Sequence, residues 1–192
     1  MCCRYYVSDH SWKKIKNIVD EIEPGFKESL WEKDILPTEK APILIGCKGR
    51  KKLTGQFFGY PTSKGPVLNA RVESVWDKEM FYNGIRYHRV VVPASHFYEW
   101  NKNKERNTFS RYDEDTLYMA GFSDHINNEP SFVILTTKPN ASMEGVHDRM
   151  PLLLEKEQID SWIFDDREAE KILAQVPVLL KRENEFEQLS FF

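Results

Sequence analysis

Apolar positions change their spacing along the first third of the chain, and each change marks an element. Trp12, Ile15, Ile18, Val19 and Ile22 recur at helical spacing over 11–22, and Pro24-Gly25 ends the run. Ile43-Leu44-Ile45 and residues 53–60 flank the polar turn Lys48-Gly49-Arg50, the pattern of a hairpin, with Gly55 and Gly59 where a strand bulges or another backbone comes close. Residues 74–82 predict a short helix closed by Asn83-Gly84. Further strands are expected at 89–92, 97–100, 108–112, 117–122, 132–136 and 151–154, with helices at 155–164 and 167–173. Strands that succeed one another without regularly alternating helices point to an α+β single domain. Its sheet should be mostly antiparallel, curled or barrel-like, with flanking helices.

Composition changes this picture little. With 192 residues, 41% of them hydrophobic, the chain can bury one sizeable core and is read as one domain over 1–192. Lys+Arg 27 against Asp+Glu 30 leaves a formal net charge of -3, so a polyanionic partner has to be met by a local basic patch. No apolar run approaches the roughly 20 residues that span a bilayer, and the start lacks the pattern of a secretory leader. No membrane partner is expected, and a cytoplasmic location fits. Three cysteines, two adjacent and Cys47 alone, form neither a disulfide framework nor a zinc spacing. Neither a metal nor a cofactor is expected.

Candidate chemistry starts at Met1-Cys2-Cys3-Arg4. Removal of Met1 would leave Cys2 with an α-amine and a thiol on adjacent carbons, a 1,2-aminothiol. Such a group forms an imine with an aldehyde and then closes through sulfur to a thiazolidine. An α-amine of pKa about 7.7–8.0 is partly neutral at physiological pH and needs little activation beyond positioning. Three downstream stretches offer partners. Asn69-Ala70-Arg71-Val72-Glu73 pairs an orienting amide with a guanidinium able to clamp a phosphate. The run at 92–100 sets Glu99 between Tyr98 and Trp100 in an otherwise apolar strand, which would desolvate the carboxylate and raise its pKa. His147-Asp148-Arg149 supplies a proton-transfer group and a second guanidinium. Each stretch alone also reads as ordinary strand-end or surface polarity.

Together, Asn-Ala-Arg-x-Glu, Val-Pro-Ala-x-x-Phe-Tyr-Glu-Trp and His-Asp-Arg-Met-Pro, in this order behind Met-Cys, resemble the SRAP family of abasic-site-processing proteins. The resemblance runs from residue 1 to about 154. It implies a compact mixed fold that binds single-stranded DNA, crosslinks to abasic sites through Cys2 and removes its own Met1. By matching position, Cys2 is the nucleophile with Asn69, Glu99 and His147 as its supporting site. Arg4, Arg71 and Arg149 are the implied phosphate contacts. The implied partner is abasic single-stranded DNA, with the protein a monomer, and near the nucleoid if bacterial. Two features depart from the family pattern. Cys3 stands where the family usually has glycine, and the loop before Asn69 lacks the family's tryptophan, leaving Phe58 or Tyr60 as the aromatic expected against the bases. Lys48, Arg50, Lys51, Lys52, Arg86 and Arg89 could line the DNA path. Two other classes fit the same residues: an N-terminal-cysteine amidohydrolase, and a non-catalytic reader of single-stranded or modified DNA.

Overall fold

The computed structural model describes residues 2–26, 31–113 and 116–184; Met1 and the tail ending in Phe191-Phe192 lie outside the described residues. The chain runs through β1 (Tyr5–Val7), α1 (Asp9–Lys16), β2 (Glu21–Ile22), β3 (Lys33–Ile35), β4 (Lys40–Cys47) and β5 (Arg50–Phe58). It continues through β6 (Asn69–Arg71), α2 (Glu79–Tyr87), β7 (Arg89–Ala94), β8 (His96–Trp100), β9 (Arg106–Ser110), β10 (Leu117–Ile126) and β11 (Glu129–Thr137). Last come β12 (Met150–Pro151), β13 (Leu153–Leu154), α3 (Ile159–Phe164), α4 (Asp166–Leu173) and β14 (Lys181–Asn184).

Five strands close into a ring. β5 pairs with β4, β4 with β7, β7 with β10 and β10 with β11, all antiparallel. β11 then returns parallel to β5, with Ser131 opposite Phe57 and Phe132 opposite Phe58. Closure leaves these five strands without a free edge along the paired stretch. Every residue of β7 is buried, because α3 covers its outer side: the Trp162 indole donates to the Val90 carbonyl at 2.9 Å. A strand covered on both faces reads as the continuous apolar run seen at Val90-Val91-Val92.

A second, wholly antiparallel sheet runs β14-β9-β8-β1-β3 and carries the N-terminal segment. Tyr5 of β1 packs edge-on against Phe58 at 5.6 Å, and Phe58 stacks on Phe132 at 5.3 Å. The start of the chain is thereby fixed to the barrel by aromatic burial. The α+β class with a barrel-like, mostly antiparallel sheet is the observed architecture.

Two elements differ from the sequence expectation. The helix expected over 11–22 stops at Lys16, and Glu21–Ile22 instead forms β2 beside β5. The Asp20 and Glu23 amides donate to the Lys51 and Leu53 carbonyls at 2.9 Å each, so the open side of β5 outcompetes a helix whose next residues are β-branched. The helix expected at 74–82 lies at Glu79–Tyr87, with Gly84 inside it rather than closing it. A Cβ on Gly84 would sit 2.4 Å from the Phe122 ring, so this glycine serves close helix–strand packing.

Candidate functional site

Strand registers bring the candidate residues to one place. β1 runs antiparallel to β8 with Tyr5 opposite Phe97, and the Tyr98 amide donates to the Arg4 carbonyl at 3.1 Å. Continuing that register carries Cys3 and Cys2 alongside Glu99 and Trp100. β6 runs parallel to β11 with Asn69 opposite Ile134, while β12, just after His147, pairs with the end of β11. Asn69 joins the two groups: its Nδ2 donates to the Cys2 carbonyl at 3.1 Å.

The electrostatics follow from burial. Cys2 is 1% exposed and Glu99 3%. Burial first, then the nearby Glu99 carboxylate and Cys3, push the Cys2 thiol well up. The Cys3 thiol, half-buried, is raised by the same first two causes. Burial likewise raises the Glu99 carboxyl, against an opposing effect of His147. Cys2, Asn69, Glu99 and His147 therefore share one electrostatic neighbourhood. Two polar atoms beside it have no hydrogen-bond partner among the described residues: the buried Asn69 Oδ1 and the Tyr5 hydroxyl. Burial pushes that phenol well up, so it stays protonated.

His147 is oriented by its own loop. The Arg149 amide donates to Nδ1 at 3.0 Å, and an Asp148 carboxylate oxygen lies 3.0 Å from the same nitrogen. These contacts require opposite protonation of Nδ1. Asp148 is 83% exposed, whereas the backbone amide is fixed, so the loop backbone sets the orientation of the ring.

The implied phosphate contacts fare unequally. Arg71 is exposed and, two residues beyond Asn69 on β6, shares that residue's strand face. Arg4 is bonded to Asp34. Arg149 is 7% exposed, with its guanidinium held by Glu73 and the Thr136 carbonyl. Its two terminal nitrogens thus face a carboxylate and a carbonyl of this chain. Phe58 and Tyr60, expected to meet bases, are core residues 0% and 1% exposed. The turn cations are mostly paired as well, Arg50 with Glu21, Lys51 with Asp160, Lys52 with Glu23 and the buried Arg89 with Asp166. Sequence reasoning gave no role to Asp34 or Glu73. Their arginine partners are 30 and 76 residues away, beyond any local spacing signal.

A cavity of about 290 Å³ lined by residues such as Gln56, His88, Arg89 and His125 lies elsewhere, by the start of β7 and the β10–β11 turn. Among the described residues no group of three or more His, Cys, Asp or Glu side chains is placed to hold a metal ion. No helix among them is long and apolar enough to cross a membrane.

Asn69 and Glu99 thus lie beside Cys2, with His147 acting on the same carboxyl. A family model for SRAP, SOS response associated peptidase, matches residues 1–190, and the chain belongs to that family. It is 25% identical over 190 residues to the abasic site processing protein YedK of Escherichia coli (strain K12), covering 91% of this chain and 86% of that one. It is 33% identical over 106 residues to the abasic site processing protein YoqW of Bacillus subtilis (strain 168), a match that takes 50% of this chain and spans 47% of the relative. An X-ray structure of a protein from Bordetella bronchiseptica has a TM-score of 0.77 at 16% identity, over 95% of this chain and 99% of that one, a likeness of fold.

Proposed function

We propose that this protein processes abasic sites in single-stranded DNA and bonds covalently to them through Cys2 once Met1 is removed. The observation that carries the reading is the convergence on Cys2 of the Asn69 amide, in direct contact, and of a buried Glu99 whose carboxyl is raised by desolvation. The names of the relatives YedK and YoqW supply the substrate class.

Burial orders the steps. With its thiol pushed up, Cys2 sulfur stays protonated, so the α-amine attacks the ring-opened sugar aldehyde first. Amine and aldehyde give a carbinolamine, which loses water to an imine. Glu99, a carboxyl whose hold on a proton is strengthened by burial, gives the departing hydroxyl its proton and recovers one from nitrogen. The thiol then adds to the imine carbon while its proton passes to nitrogen, closing the thiazolidine. His147 is suited, in its imidazolium form with the Asp148 carboxylate beside Nδ1, to give the sugar ring oxygen a proton as it opens. Asn69, anchored on the Cys2 carbonyl, offers Oδ1 as an acceptor for the amine. The imine also permits β-elimination, so weak strand cleavage is an expected side activity.

The test is intact-mass analysis of purified protein, followed by incubation with an abasic single-stranded oligonucleotide. A mature chain beginning at Cys2 and a denaturation-resistant adduct mapping to Cys2 are expected. A fully retained Met1 in protein that still forms the adduct, or an adduct on another residue, would overturn the reading.

A further inference from the structure

The geometry points to Asp34 as a positioning residue for Cys2, acting through Arg4; the inference rests on the function proposed above. A nucleophile at a chain end has no preceding segment to hold it, and chain ends fray unless tied down. Misplacement by about 1 Å can cost roughly a hundredfold in rate. β1 begins only at Tyr5, so regular strand structure stops short of the nucleophile. Two backbone contacts continue beyond it, Tyr98 N–H to the Arg4 carbonyl and Asn69 to the Cys2 carbonyl, both 3.1 Å.

Arg4's side chain adds a third tie. Its Nε donates to Asp34 Oδ2 at 3.2 Å and its Nη2 donates to the same oxygen. Its guanidinium also lies 5.3 Å from the centre of the Tyr98 ring. Asp34 is on β3 opposite Tyr6, and Tyr98 is on β8, so Arg4 is fastened to both strands that flank β1. The ring beneath it is itself fixed. Arg106 covers it at 5.2 Å, and the Tyr98 hydroxyl lies 2.8 Å from His96 Nε2. That imidazole stacks on Tyr6 at 5.0 Å and 9°.

An arginine reserved for a phosphate presents its fork to solvent, as a bidentate phosphate contact needs. The Arg4 fork instead spends its donors on a carboxylate, in a pair whose side chains are only 33% and 28% exposed. A phosphate binding the Nε–Nη2 edge would have to displace Asp34. Arg4 therefore acts as a strut between strands, and Asp34 holds the strut in place.

The test uses the full mature chain and an abasic single-stranded oligonucleotide, with single-turnover adduct formation followed over a range of DNA concentrations and salt. Asp34→Asn, Arg4→Gln and the double variant should each lower the maximal rate by roughly tenfold. The double variant should lose no more than either single one, because the pair acts as a unit. Half-saturating DNA and the salt slope of binding should stay at wild-type values, and Asp34→Glu should restore part of the rate. Condensation with glyoxylate, which needs no DNA site, should proceed at the wild-type rate in every variant. A glyoxylate rate that falls with the adduct rate would trace the loss to the aminothiol itself and overturn the inference. So would an Arg4→Gln variant with weaker binding and a flatter salt slope, which would make Arg4 a phosphate ligand. A wild-type chain that forms no adduct takes down the proposed function as well. A wild-type adduct with an unchanged Asp34→Asn rate takes down this inference alone.

Discussion

Arg149 grips Glu73 with both terminal nitrogens, each 2.8 Å from its own carboxylate oxygen, and its Nη2 also donates to the Thr136 carbonyl. The contact locks the segment after Asn69 to the segment after His147, one on each side of the site. Arg149→Ala should therefore cost stability, about 1–3 kcal/mol, by stripping a buried carbonyl and a carboxylate of their donor. DNA binding should keep its salt slope, since no phosphate contact is lost. Glu73's carboxyl is held low by Arg149, so this stabilisation is complete above the ordinary carboxylate range and lost as pH falls below it through the lowered folded value. The gap in melting temperature between wild type and variant should narrow on acidification; a gap that widens would refute the assignment.

Glu99 sets stability against chemistry. Its carboxyl is raised chiefly by burial, so its contribution to stability is complete below the ordinary carboxylate pKa of 4.5 and is lost as pH rises through the higher folded value. Glu99→Gln removes the penalty of burying charge. At neutral and mildly alkaline pH the variant should melt no lower than wild type, with any advantage vanishing in acid. Adduct formation should meanwhile slow by about 10²–10⁴-fold, the range for a missing proton-transfer group. A variant that is active, or markedly less stable at neutral pH, would make Glu99 a structural residue only.

How much of this was legible in the sequence depends on range. The hairpin of β4 and β5, the buried β7 and the long β10 and β11 were readable because their apolar patterns are local and sustained. β1, β3 and β6 are three residues long and exist only through their partners, so no period announces them. Gly84 carried a misleading signal: beside Asn83 it reads as a helix end, yet it is needed where α2 presses on Phe122. Cys2, Asn69, Glu99 and His147 could be named from motifs, and their proximity is what the registers add. The fate of the arginines could not be read. Whether a guanidinium meets a phosphate or a carboxylate depends on residues such as Asp34 and Glu73, brought close only by folding. The burial of Phe58 and Tyr60 was unreadable for the same reason, since it follows from ring closure between β5 and β11.

The two adjacent thiols should behave differently in kind. Only Cys2 can carry an amine and a thiol on one residue after Met1 is lost. Cys2→Ser should still form the imine, trappable by borohydride, and keep some strand cleavage, but no stable thiazolidine. Cys3→Ser should leave the adduct intact, because Cys3's amine is a peptide nitrogen. Peptide mass spectrometry of the DNA-linked product checks both, and a stable adduct in Cys2→Ser, or its loss in Cys3→Ser, would contradict the mechanism.

Of the three arginines expected on phosphates, Arg71 is the exposed one, on the strand face that also carries Asn69. One phosphate contact on single-stranded DNA releases one counterion's share of screening, so Arg71→Ala should reduce the slope of log K against log salt by about 0.7. The loss of affinity should be the same for every flanking sequence, because a phosphate contact reads no base. At saturating DNA the maximal adduct rate should stay at the wild-type value, since Arg71 recruits the strand without moving a proton. Fluorescence anisotropy across a salt series, paired with single-turnover rates, separates these effects. An unchanged slope would take Arg71 off the DNA path, while a falling maximal rate with unchanged affinity would place it in the chemistry instead.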